Sequence, residues 1–197
     1  MRIKGIKIDE DVARILNEQD NDFPEGSFAE WFGKDLTGQK YNGNINCFKG
    51  RLTSLYGAPQ EVSGYFVCSG NNLTSLKGAP EKVGGQFDCS YNYLTSLQGA
   101  PKEVGRFGRF DCSNNNLTSL EGAPQKVEGD FDCSDNRLTS LKGAPQEVEG
   151  DFRCINNNLT SLQGAPQEVG GDFYCRVNNL TSLNGIGEVK GKIISDI

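Results

Sequence analysis

The sequence predicts a β-rich solenoid with one parallel sheet, a back side of turns or short 3₁₀ segments, and a small helical N-terminal cap. Three observations predict it. Leucine anchors recur at Leu52, Leu73, Leu94, Leu117, Leu138, Leu159 and Leu180, in steps of 21, 21, 23, 21, 21 and 21 residues. Self-similarity at such a period marks units that cannot bury an apolar face alone and therefore stack on their neighbours. Each unit carries a Phe-x-Cys alternation, which suits a strand with one buried face. Each anchor is followed by Gly-Ala-Pro or, in the last unit, Gly-Ile-Gly. Proline cannot serve a helix interior, so no long helix is expected opposite the sheet.

The chain opens with a flank, residues 1–40, ahead of the solenoid, 41–197. "MRIKGIKI" reads as an edge strand. Val12, Ile15 and Leu16 lie at helical spacing, and Ser27 with Glu30 forms a capping box before "FAEWF". Residues 9–33 are thus expected to form one or two short helices joined by "NDFPEG". A solenoid needs a cover over the open core of its first unit, and Phe28, Trp31 and Phe32 have the bulk for it. A partner-binding or dimerising flank is the competing reading.

The repeated unit reads G-x-F-x-C-x-x-N-x-L-T-S-L-x-G-A-P-x-x-V, giving about seven repeats of 21–23 residues and a terminal edge strand. Its inward pairs are Ile45/Cys47, Phe66/Cys68, Phe87/Cys89, Phe110/Cys112, Phe131/Cys133, Phe152/Cys154 and Phe173/Cys175, with Ile193/Ser195 closing the series. Parallel strands about 4.8 Å apart make eight of them a rod of roughly 35 Å. The glycine two residues before each Phe slot fits a tight corner. Asn71, Asn92, Asn115, Asn136, Asn157 and Asn178 stand three residues after each cysteine. An inward ladder of amides would satisfy backbone groups left unpaired where the chain bends. The Thr-Ser pairs would do similar local work at the next corner. In "GEVKGKIISDI" the charges of Lys190, Lys192 and Asp196 discourage edge pairing.

F-x-C-x-x-N-x-L matches the leucine-rich-repeat core L-x-L-x-x-N-x-L. "CSDNRLTSLKGAP" resembles the short repeats of bacterial and bacteriophage leucine-rich-repeat proteins and of secreted bacterial effectors. The likeness covers residues 41–197 and recurs six times. It implies a curved arc and a protein-binding surface. Phe and Cys replace strand leucines, Gly-Ala-Pro replaces the usual back-side pattern, and no effector enzyme domain stands beside the repeats. The setting it implies is a small phage or bacterial protein in the host cytoplasm.

Composition narrows the function. Formal charge is −6, split evenly between residues 1–40 and the repeats, so neither part is a basic footprint for nucleic acid. "MRIKGIKIDEDVARIL" lacks the apolar core of a secretory signal, and no stretch approaches the apolar length of a membrane span. All seven cysteines occupy one repeat slot, which makes them small buried hydrophobes in a reducing compartment. Side chains pointing the same way from parallel strands suit bridges poorly, and a 21-residue spacing wraps no metal. Histidine is absent, and neither a G-x-x-x-x-G-K loop nor a G-x-G-x-x-G after a strand occurs. No enzyme activity and no cofactor are expected.

A solenoid binds through its variable outward slots. Between Phe and Cys these are Asn46, Val67, Asp88, Asp111, Asp132, Arg153, Tyr174 and Ile194. Before Phe come Tyr65, Gln86, Arg109, Asp130, Asp151 and Asp172, and two after Cys come Gly70, Tyr91, Asn114, Asp135, Asn156 and Val177. Aspartate is a poor strand former and repels its own kind in register, so its recurrence suggests an acidic face for a basic patch on a protein, flanked by Tyr65, Tyr91 and Tyr174. The 23-residue step adds Arg106 and Phe107 before the strand, beside Arg109; an aromatic between arginines suits a protruding anchor. An acidic mimic of nucleic acid, seated in a basic protein groove, is a second reading. A structural or assembly subunit is a third, and a monomer or weak homo-oligomer is expected.

Overall fold

The computed structural model describes residues 24–105 and 108–197. The chain coils as a parallel β-solenoid of about seven turns, with sixteen two-residue strands and one short helix among the described residues. In chain order the strands are β1 (Lys40–Tyr41), β2 (Ile45–Asn46), β3 (Glu61–Val62), β4 (Phe66–Val67), β5 (Lys82–Val83), β6 (Phe87–Asp88), β7 (Glu103–Val104) and β8 (Phe110–Asp111). They continue as β9 (Lys126–Val127), β10 (Phe131–Asp132), β11 (Glu147–Val148), β12 (Phe152–Arg153), β13 (Glu168–Val169), β14 (Phe173–Tyr174), β15 (Glu188–Val189) and β16 (Ile193–Ile194).

The even-numbered strands form one eight-stranded parallel sheet, from β2 at one edge to β16 at the other. Its register stacks like on like, Phe131 against Phe110 and Phe152. The phenylalanines become a column through the core, with ring centroids 5.0–6.0 Å apart from Phe66 to Phe173. The cysteines form a second column. All seven are free and buried, and six donate S–H bonds to a carbonyl of the next strand, as Cys112 does to Asp132 at 3.3 Å. A thiol here fills the core and adds a weak donor that leucine lacks.

The asparagines form the expected ladder. Asn136 Oδ1 accepts from the Leu117 N–H at 2.9 Å, while its Nδ2 donates to the carbonyls of Cys112, Cys133 and Ser134. Asn71, Asn92, Asn115, Asn157 and Asn178 repeat this pattern. At the next corner the serine of Thr-Ser accepts from the N–H two residues on, as Ser119 does from Glu121 at 3.1 Å.

The back side is built of the expected turns, and two-residue strands are added to them. Leu-x-Gly-Ala closes a turn in which the alanine N–H donates to the leucine carbonyl, Ala144 to Leu141 at 2.9 Å. Glycine at the third position has positive φ, +88° at Gly143, the signature of a type II turn. A Cβ on Gly143 would also lie 2.6 Å from the Glu121 nitrogen of the previous unit. Proline then holds the preceding residue extended, and the chain runs into a two-residue strand ending on a buried valine. These odd-numbered strands make two four-stranded parallel sheets, β1-β3-β5-β7 and β9-β11-β13-β15. The break lies across the 23-residue step, whereas the eight-stranded sheet passes it unbroken.

Helix α1 (Phe28–Phe32) sits on the first unit. Ser27 caps it through the Glu30 N–H at 3.1 Å, and Glu30 reaches back to the Gly26 N–H at 2.5 Å. Phe28 and Ala29 donate their N–H groups to Ser54 and Tyr56 of the first turn. Phe28 is buried over Phe66, at 6.0 Å between centroids, with Trp31 and Phe32 packed around it. The edge strand and helix expected within residues 1–16 lie outside the described residues.

Candidate protein-binding face

The slot between Phe and Cys runs in register across the eight-stranded sheet: Asn46, Val67, Asp88, Asp111, Asp132, Arg153, Tyr174 and Ile194. Strand alternation turns all of these to the face opposite the phenylalanine column. The aspartates are less free than the sequence suggests. Asp111 and Asp132 are each only 7% exposed. Asp88, Asp111 and Asp132 accept from the N–H of the serine two residues on, each at 3.0 Å. These carboxylates build the corners that end β6, β8 and β10.

Two arginines knit the rest. Arg109 bridges Asp111 at 2.9 Å and Asp132 at 2.6 Å. Arg153 spans Asp130 at 3.0 Å and Asp151 at 2.6 Å, and its guanidinium lies over the Tyr174 ring. The slot before Phe makes a ladder of its own. Asp130, Asp151 and Asp172 accept from the N–H groups of Asp151, Asp172 and Lys192, and Tyr174 donates to Asp172 at 3.2 Å. The expected field of outward carboxylates is therefore a hydrogen-bonded layer, because each unit's backbone offers donors that a short acid can reach. Burial pushes the Asp111 carboxyl above its ordinary range, against the lowering effect of Ser113 and Arg109. Seven aspartates against two arginines still leave the face acidic.

The exposed aromatics gather at one end. Tyr91 is 63% exposed, and Tyr65, at the entrance to the strand of the preceding unit, is 37% exposed. Two more, absent from the sequence-based site, join Tyr91: Phe48 at 51% and Tyr93 at 57% exposure. Phe48, Lys49, Gly70, Tyr91, Tyr93 and Asn114 line a shallow groove along the corner that follows the sheet. The signal for them was in the sequence. Phe48 stands where other units have Ser69, Ser90, Ser113 and Ser134, and Tyr93 where they have Asn72, Asn116 and Asn158. Tyr91 holds a left-handed φ of +51°, a conformation that disfavours a bulky side chain. Arg106 and Phe107 lie outside the described residues, and Arg109 beside them is engaged in the two ion pairs above.

Among the described residues no three His, Cys, Asp or Glu side chains converge to hold a metal. Burial raises the thiols, Cys47 to about 12 and Cys68, Cys89, Cys112, Cys133 and Cys154 well above the ordinary value, so none is an activated nucleophile. No helix among the described residues is long and apolar enough to cross a membrane. Comparison with protein-family models, with curated proteins and with solved structures finds no match for this chain.

Proposed function

We propose that this chain is a non-enzymatic protein-binding module. One observation carries the reading: the slots shared by every unit are consumed by packing and backbone hydrogen bonds, whereas Phe48, Tyr91 and Tyr93 break the repeat with exposed aromatic area beside an acidic face. Aromatic anchors supply much of the energy of protein interfaces, and an acidic surround steers a basic partner and makes capture salt-sensitive. The partner is a protein with a basic patch that offers an apolar centre to the groove. The repeat text resembles leucine-rich-repeat proteins of bacteriophages and bacteria, so the partner we propose is a bacterial host protein of a defence or regulatory system, inhibited by capture.

The test is a paired capture from bacterial lysate. Tyr91→Asn with Tyr93→Asn writes the residues that the next unit carries in those slots, Asn114 and Asn116, so the fold and its melting temperature should hold. A partner retained by the parent should bind the double variant at least tenfold more weakly, about 1.4 kcal/mol, and release with salt. Equal retention by both would place binding elsewhere. Displacement of the partner by a duplex oligonucleotide would favour nucleic-acid mimicry instead.

A further inference from the structure

The face of the eight-stranded sheet supplies its own cations in one half and not in the other. Arg109 bridges Asp111 and Asp132, and Arg153 spans Asp130 and Asp151. Asp88 is the remaining aspartate of the slot between Phe and Cys, and among the described residues no lysine or arginine pairs with it. Lys49, at the corner of the first unit, lies over the Phe48 ring instead, 5.0 Å from its centroid. The register shows what is missing. Val67 is the partner of Asp88 across the sheet, as Asp111 is of Asp132. Tyr65 precedes Val67 by two residues, as Arg109 precedes Asp111. The triangle Arg109, Asp111, Asp132 is thus rewritten two units earlier as Tyr65, Val67, Asp88, with no cation in it. Nor does the corner need the charge of Asp88. Its carboxylate accepts from the Ser90 N–H at 3.0 Å, and the neutral amide of Asn46 accepts from the Phe48 N–H at the same 3.0 Å. Three residues on, this corner reaches Tyr91 at the wall of the aromatic groove.

We infer that Asp88 is the seat of an arginine of the protein partner, whose apolar neighbour enters the groove of Phe48, Tyr91 and Tyr93, given that this groove is the binding site proposed above. The carboxylate has room for it. Asp88 Oδ1 takes the N–H and the hydroxyl of Ser90, whereas Oδ2 takes only the Ser69 hydroxyl at 3.0 Å. That leaves Oδ2 a lone pair for a further donor. The chain itself shows how an arginine sits on this face. Arg153 pairs with two carboxylates while its guanidinium lies over the Tyr174 ring, 5.1 Å from the centroid. A planar guanidinium stacks on a ring and forks to a carboxylate at once, which a compact ammonium does not. The partner's cation is therefore arginine rather than lysine. Around Asp88 the exposed rings are Tyr65 on the face and Tyr91 at the corner. The two arginines of the second half fill their own seats, which directs the partner to the first half and to the groove beside it.

Nuclear magnetic resonance titration of the full chain with the peptide acetyl-Phe-Gly-Arg-amide tests it. The peptide should bind in roughly the millimolar range, as a fragment with few contacts does, and move the amide signals of Ser90, Tyr91 and Tyr93. Asp88→Asn writes the residue that Asn46 already carries in this slot, so the corner and the melting temperature should hold. It should weaken the peptide about tenfold, the worth of a charge-assisted hydrogen bond. Tyr65→Arg writes the Arg109 triangle into the second and third units. It should fill the seat from within and weaken the peptide to a similar degree. The same peptide with lysine in place of arginine should bind more weakly to the parent and lose less on Asp88→Asn. Equal affinity of parent and Asp88→Asn would overturn the arginine seat, and so would a lysine peptide bound as tightly as the arginine one. In either case loss of the peptide by Tyr91→Asn with Tyr93→Asn would leave the groove standing as the binding site. Signals of the parent that stay fixed up to about 10 mM peptide, above the range of weak specific binding, would also overturn the seat.

Discussion

Asn136 belongs to one unit and serves another. Its amide satisfies the Leu117 N–H and the Cys112 carbonyl of the preceding turn as well as two carbonyls of its own. Leucine has similar bulk and none of these functions, so Asn136→Leu leaves a buried donor and acceptors unpaired. The expected cost is about 3 kcal/mol or more, read from urea unfolding. Arg137→Leu, next to it in the sequence and exposed, should cost far less. The thiols set a pH limit. Their folded pKa values lie above the ordinary value of 9.0, so the folded state keeps protons that the unfolded chain releases. Their contribution is fully present below pH 9 and is lost as pH rises toward the folded values, about 12 at Cys47. One unit above the ordinary value each deeply buried thiol costs about 1.4 kcal/mol. Six such residues should unfold the protein in mild alkali, followed by circular dichroism. Cys112→Ala with Cys133→Ala should flatten the slope of stability against pH by about two protons, whatever the variant loses at neutral pH.

At the scale of elements, the repeat's period and its Phe-x-Cys alternation made the eight-stranded sheet legible strand by strand, and the Ser27–Glu30 box located α1. The odd-numbered strands were not legible. Two residues are too few to show alternation, and the proline that argues against helix argues equally for a plain turn. The break between β7 and β9 shows what the irregular step does: it leaves the main sheet in register and interrupts the back one. Deleting Arg106 and Phe107 restores the 21-residue step. It should bring Glu103 opposite Lys126, as Lys82 is opposite Glu103 now, and join the two back sheets. A gain of about 1 kcal/mol is expected from the added ladder bonds, seen as a higher melting temperature. If the insert is also an anchor, as proposed for Phe107, the same variant captures less partner. A drop in melting temperature would mean that the insert is itself packed.

For the molecule as a whole, the strands of the described residues pack on those of neighbouring units, so stability is close to a sum of units and junctions. The shared slots were readable because each is written six or seven times; a function needs only one copy of its residues and is read from departures. The aspartates are less free than the sequence suggests because a short carboxylate reaches backbone N–H groups of its own corner and of the next unit. Phe48 and Tyr93 were passed over because they stand at unassigned positions of the repeat, outside the three outward slots read as the binding face. The asparagine ladder has a consequence in time. Each amide completes the backbone of the turn before it, so a turn is unfinished until its successor has been made. During synthesis the growing chain is always one turn behind itself: Leu159 waits for Asn178, nineteen residues later, before its N–H has a partner. A ribosome that stalls inside the repeats holds a rod whose newest turn is open, and release at that point leaves the same open turn at the truncated end.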